Sequence, residues 1–218
     1  MLKFLPLLLL ALTPLASADD GASMYRYPDI SNDEIVFVYA NDLWRVPAEG
    51  GTALPLASPE GVELMPRFSP DGTSVAFVGN YDGNRDLYHV PISGGMPRRV
   101  THHPTTELLS DCTPSGDLLF TAPGLGMTRA ERPYRVAATG GLPEPLVVPY
   151  GSNATLNADE TKLAYTPWQR DRRTWKRYQG GLASDIWIID LESGESTQVT
   201  DWAGTDTLPM WHGSTLYY

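Results

Sequence analysis

Pro66-Arg67-Phe68-Ser69-Pro70-Asp71-Gly72 is followed 44 positions later by Ser110-Asp111-Cys112-Thr113-Pro114-Ser115-Gly116, and 44 positions further on by Ala154-Thr155-Leu156-Asn157-Ala158-Asp159-Glu160. Phe68, Cys112 and Leu156 therefore share one register. Pro28-Asp29-Ile30-Ser31-Asn32-Asp33 is a shorter earlier copy, and Pro209-Met210-Trp211-His212-Gly213-Ser214 opens a later one. Self-similarity at a fixed period marks a repeat architecture, in which one supersecondary unit is reused.

Each start leads into the same events. A turn precedes a β-rich run: Ile35-Val36-Phe37-Val38-Tyr39, Val75-Ala76-Phe77-Val78, Leu118-Leu119-Phe120 and Leu163-Ala164-Tyr165. These residue types suit a pleated surface. A second strand follows, as Asp42-Leu43-Trp44-Arg45-Val46, Asp86-Leu87-Tyr88-His89-Val90, Tyr134-Arg135-Val136 or Asp185-Ile186-Trp187-Ile188-Ile189. Apolar and polar positions alternate in several of these, the pattern of half-buried strands. Gly50-Gly51, Gly94-Gly95, Gly140-Gly141 and Ser193-Gly194 close that strand with a hairpin, because glycine tolerates positive φ. An edge strand comes last, as in Arg98-Arg99-Val100-Thr101 and Thr197-Gln198-Val199-Thr200.

Four antiparallel strands per unit of about 40 to 45 residues predict the blades of an all-β propeller. Four blades and the start of a fifth are readable. A β-sandwich also uses short strands and glycine turns, but the repetition of strand order and turn type favours the propeller. No segment keeps a 3.6-residue apolar period between caps, so a helical solenoid is disfavoured. The fifth unit reaches only Leu216-Tyr217-Tyr218, so the ring is expected to be incomplete and the natural protein to continue.

Met1-Leu2-Lys3-Phe4, the leucine-rich run to Leu12 and Ala16-Ser17-Ala18 form the three-part pattern of a secretory signal peptide. The expected division is a signal peptide over 1–18 and a propeller region over 19–218. The run is shorter than the roughly 20 residues that span a bilayer, so no stable membrane insertion is expected after cleavage. The location predicted is periplasmic or secreted. A net charge of −10 disfavours nucleic acid and anionic membranes as partners. Cys112 is the sole cysteine, which excludes an intrachain disulfide.

Catalytic chemistry is hard to find. No Gly-x-Ser-x-Gly elbow occurs, and the four histidines, His89, His102, His103 and His212, fall on strands or turns without a recognisable partner set. Asp82-Gly83-Asn84-Arg85-Asp86 begins like a calcium loop but lacks the later bidentate Glu, and reads as a β-turn. No catalytic residue, cofactor site or metal site is assigned. The one unusual constellation is Arg170, Arg172, Arg173, Lys176 and Arg177 interleaved with Trp168, Trp175 and Tyr178. Arginines grip carboxylates bidentately and aromatics stack on peptides. Arg172, Arg173, Trp175, Lys176, Arg177 and Tyr178 are therefore the candidates for contact with substrate or another module; the alternative is pairing with acidic blades.

The wording of the blades adds a resemblance. Ile35 to Gly51 and Phe68-Ser69-Pro70-Asp71-Gly72 resemble Tol-associated propeller repeats. Arg173-Thr174-Trp175-Lys176-Arg177-Tyr178-Gln179-Gly180-Gly181 running into Asp185-Ile186-Trp187, with Gly204-Thr205-Asp206-Thr207 and Pro209 to Gly213, is similar to the N-terminal propeller of the tricorn protease family. That resemblance implies two propellers ahead of a PDZ-like module and a serine-protease domain that degrades peptides. It implies that propellers filter or channel substrate and that the protein forms a homo-oligomer. The nucleophile and histidine of the family have no matching positions here. The resemblance thus points to a gating propeller of an exported tricorn-type serine protease. The alternatives are a periplasmic Tol-associated-type binding module, or a propeller fused to another hydrolase such as an amidohydrolase.

Overall fold

The computed structural model describes residues 24–123, 130–169, 171, 174 and 176–218. The expected signal peptide lies outside them. The described residues form four four-stranded antiparallel sheets and a two-stranded one, each with its strands in sequence order. The first blade is β1 (Arg26–Ser31), β2 (Glu34–Tyr39), β3 (Asp42–Pro47) and β4 (Leu54–Ala57). The second is β5 (Glu63–Phe68), β6 (Ser74–Gly79), β7 (Asp86–Pro91) and β8 (Arg98–Arg99). The third is β9 (Leu108–Cys112), β10 (Leu118–Pro123), β11 (Glu131–Val136) and β12 (Glu144–Pro145). The fourth is β13 (Ser152–Leu156), β14 (Lys162–Thr166), β15 (Trp187–Asp190) and β16 (Ser196–Gln198). β17 (Met210–His212) and β18 (Thr215–Tyr217) form a hairpin that begins a fifth. The sheets do not close into a ring, as the repeat count predicts.

The first strands of successive blades, β1, β5, β9, β13 and β17, pack on one another in order. They are the strands nearest the axis, and the short, exposed β8, β12 and β16 lie at the rim. Phe68, Cys112 and Leu156 each end an inner strand, so the sequence register is also the spatial one.

The hydrophobic core lies in the seams between blades. Val75 and Phe77 of β6 face the first blade and pack with Val36, Leu43 and Leu56. Ala76 and Val78, on the opposite face of the same strand, join Leu118, Phe120 and Val136 of the third blade. Leu119 turns the other way, into a cluster with Ala154, Leu156 and Leu163. Successive side chains of a strand point to opposite faces, so a middle strand flanked by two blades has to be apolar throughout. β2 shows the alternation expected of a half-buried strand, whereas every residue of β6 is buried. The hairpins after β3, β7 and β11 turn at Gly50, Gly94 and Gly140, with φ of +95°, +87° and +96°, in the left-handed region that favours glycine.

Candidate functional site

Three arrangements could serve a function: the axial face, the connection between β14 and β15 that carries the basic cluster, and the histidine-bearing turns. On the axial face, side chains of the inner strands tie each blade to the next. The Phe68 amide donates to Asp29 Oδ2 at 2.7 Å, Arg67 Nε donates to the Ser110 carbonyl at 3.0 Å, and Thr155 Oγ1 donates to Asp111 Oδ2 at 2.5 Å. Burial raises the carboxyl pKa of both Asp29 and Asp111 despite these donors and the Arg67 guanidinium. Phe68, Asp111, Cys112, Thr155, Leu156 and Trp211, from four consecutive inner strands, border a depression of about 240 Å³.

A repeated backbone distortion shapes this face. Tyr27, Met65, Asn153 and Leu208 have φ of +53°, +52°, +52° and +56°. Each stands three residues before Ile30, Phe68, Leu156 and Trp211, on the shared register. The pairing of β1, β5 and β13 with their neighbours shifts at Tyr27, Met65 and Asn153. Such bulges twist a strand and re-aim its side chains. The left-handed conformation falls on non-glycine residues, so composition alone gives no sign of it.

At Asn153 the bulge receives the insertion of the fourth blade. Asn153 Nδ2 donates to Asp171 Oδ2 at 2.9 Å and to Thr207 Oγ1 at 3.0 Å, and Thr207 Oγ1 donates to Asp171 Oδ1 at 2.5 Å. Asp171 therefore pins the β14–β15 connection to an inner strand and to the segment entering the fifth blade. Trp168, just before it, stacks on Tyr150 with centroids 5.4 Å apart and planes at 20°, and both rings are exposed. Of the residues predicted to contact substrate, Arg172, Arg173 and Trp175 lie outside the described residues. Lys176, Arg177 and Tyr178 are exposed, and Tyr178 folds back so that a β-carbon on Gly180 would stand 2.7 Å from its hydroxyl.

His89 of β7 and His103 make structural hydrogen bonds. His89 Nε2 lies 2.8 Å from Ser74 Oγ, and burial holds its imidazole below the usual range. His103 Nδ1 bonds the Thr105 hydroxyl at 2.9 Å. In the Asp82–Asp86 turn, Arg99 pairs with Asp82 at 2.9 Å and Asp86 at 2.7 Å, and the Asn84 amide donates to Asp86 and to the His103 carbonyl. Among the described residues no group of three or more His, Cys, Asp or Glu is arranged to hold a metal ion. His212 is the exposed last residue of β17, with the turn at Gly213-Ser214.

Thr155 offers a direct test of the axial ties. Thr155→Val keeps the shape and removes the donor to Asp111. The loss of a hydrogen bond to a buried carboxyl is expected to cost about 1–3 kcal/mol of unfolding free energy, measured by chemical denaturation.

The fold and this axial face define a β-propeller with inter-blade polar ties and a pinned insertion beside its axis. Residues 22–218 match the family model described as the tricorn protease N-terminal beta propeller domain, and the chain belongs to that family. Tricorn protease homolog 1 of Streptomyces coelicolor is 28% identical over 197 residues, covering 88% of this chain and 18% of the homolog. A crystal structure of the tricorn protease superposes with a TM-score of 0.77 at 24% identity, over 89% of this chain and 20% of that one. The crystal structure of TolB from Acinetobacter baumannii gives a TM-score of 0.60 at 23% identity, over 81% of this chain and 43% of that one. The chain thus spans about a fifth of the length of these two tricorn relatives.

Proposed function

We propose that this chain is the substrate-gating propeller of an exported tricorn-type serine peptidase, whose catalytic residues belong to other modules of a longer protein, PDZ-like and protease modules among them. The family match over 22–218 carries this reading. The signal-type pattern at 1–18 supports export, and the latch of Asp171 to Asn153 and Thr207 supports an insertion held beside the axis. Peptides are the substrate class, reached through the whole protein, which works as a homo-oligomer.

The test is peptide hydrolysis by the complete gene product with and without a serine-directed inhibitor, together with the N-terminal residue of the secreted protein. Inhibitor-sensitive turnover and a mature start at Asp19 support the reading. The likeness to TolB favours a second one, a periplasmic module that docks proteins, and an inactive product would select it.

The basic insertion makes its own prediction. With Arg172 and Arg173 replaced by Ala, KM for peptides is expected to rise about tenfold or more with kcat little changed. This is the pattern of lost uniform binding when charged hydrogen bonds are removed. Unchanged turnover would exclude these two residues from substrate contact.

A further inference from the structure

Glu63 and Glu107 are 44 residues apart, each at or just before the start of an inner strand, and both are fully buried. Each marks a crossing from one blade to the next: the Glu63 amide donates to the Asn41 carbonyl at 2.8 Å, and the Glu107 amide to the Arg85 carbonyl at 3.0 Å. Among the described residues neither carboxyl has an ion-pair partner. Both oxygens of Glu63 and Oε1 of Glu107 are buried, with no hydrogen bond of normal geometry to them among the described residues.

In the second blade the Leu87 amide donates to Thr101 Oγ1 at 2.9 Å, and the Thr101 hydroxyl donates to Glu107. The fourth blade repeats the first half of this relay, with the Ile186 amide donating to Thr200 Oγ1 at 3.0 Å. At the seam of the first and second blades Glu63 stands directly beside the Leu43 amide of β3 and the Tyr81 hydroxyl.

The titratable and charged groups facing Glu63 are Asp42 of β3 and Tyr81 after β6, with Tyr88 of β7 against Tyr81. Those facing Glu107 are Asp86 and Arg99, with Asp82 paired to Arg99 and His102 near Asp86. Asp42 and Asp86 add negative potential, and Arg99 is already shared between Asp82 and Asp86. An ionised carboxylate at either seam is therefore desolvated and poorly compensated.

We propose that the seams between the first and second blades and between the second and third are proton-dependent latches, closed when Glu63 and Glu107 are protonated and loosened when they ionise. Burial raises both carboxyls from 4.5 to about 7. A pKa raised on folding means that the folded chain holds protons the unfolded chain has released. The stabilisation is complete below about 4.5, declines as pH rises, and is lost above about 7. Glu63 and Glu107 stand at or just before the starts of inner strands, so, resting on the proposed gating role, the state of these seams would reach the axial face in the range between mildly acidic and neutral media.

The test is hydrogen exchange of the intact protein from pH 4.5 to pH 8.5, followed in the peptides that contain Leu43 and Leu87, with Glu63→Gln, Glu107→Gln and the double variant alongside. In the wild type the opening of each seam is expected to rise by up to roughly 10²-fold beyond the intrinsic pH dependence of exchange, the limit set by a shift of that size. Each Gln variant should flatten the rise at its own seam only, and the double variant should melt above the wild type at pH 8.5. An infrared titration of the wild type covers variants that fail to fold: it should show at least two carboxylic acids still protonated near pH 6. Full ionisation of every carboxyl by pH 5, or seam exchange with the same pH profile in wild type and variants, would overturn the proposal.

Discussion

Phe120→Ala is expected to lower unfolding free energy by about 3–5 kcal/mol. Its side chain is fully buried in the seam between the second and third blades, against Leu64, Val78 and Leu87, and stacks on Tyr134 with centroids 5.6 Å apart at 27°. Deleting the ring loses its transfer free energy and leaves a cavity between two sheets that backbone ties hold in place. Domains of ordinary stability have only about 5–15 kcal/mol in total, so the variant should unfold at far lower denaturant. Phe120→Leu keeps most of the volume and should cost less than about 1.5 kcal/mol. Equal stability of Phe120→Ala and wild type in urea titrations would mean that this seam is not closed in solution.

Removing the guanidinium in Arg99→Ala is expected to cost about 2–3 kcal/mol at neutral pH. Asp86 is fully buried and Arg99 is a quarter exposed, so the cost is set below that of breaking a fully buried pair. The sign with pH is specific. Burial already raises the Asp86 carboxyl above its usual range, and Arg99 is the main influence opposing that rise. Without Arg99 the carboxyl moves further up, and its folded pKa exceeds the unfolded one by more. The protonated form is stable below the unfolded value, and stability drains away as pH rises through the folded value. Arg99→Ala should therefore be close to wild type at pH 4 and fall behind it toward pH 7. A deficit that stays constant with pH would contradict the assignment of Arg99 to the Asp86 charge.

The repeat was legible because its carriers are local. Phe68, Cys112 and Leu156 each close an inner strand, and paired glycines turn the hairpins of the first three blades at positive φ. The outer strands were legible in position and overestimated in length: pairing in the second blade stops at Arg99, although the Val100 amide still reaches the Leu87 carbonyl at 2.8 Å. The bulges at Tyr27, Met65 and Asn153 were not legible, since residues of such different types share one conformation that inter-strand pairing imposes. Glu63 and Glu107 obey the same 44-residue offset as the quoted motif and could have been found by it. What hid them is that a lone Glu beside a strand reads as solvated, and only packing between blades buries it. The basic cluster around Arg173 was visible as composition, but the anchor that places the insertion is Asp171, whose partners Asn153 and Thr207 are 18 and 36 residues away.

The gating claim is tested most directly by narrowing the axial face. Ala158 is exposed on the border of the depression shared by four inner strands, so Ala158→Trp adds bulk there with little effect on the seams. On the proposed reading, peptide turnover by the complete protein should fall, while titration of the proposed active serine by a small covalent inhibitor stays complete. Turnover equal to wild type across peptides of increasing length would contradict passage along this axis.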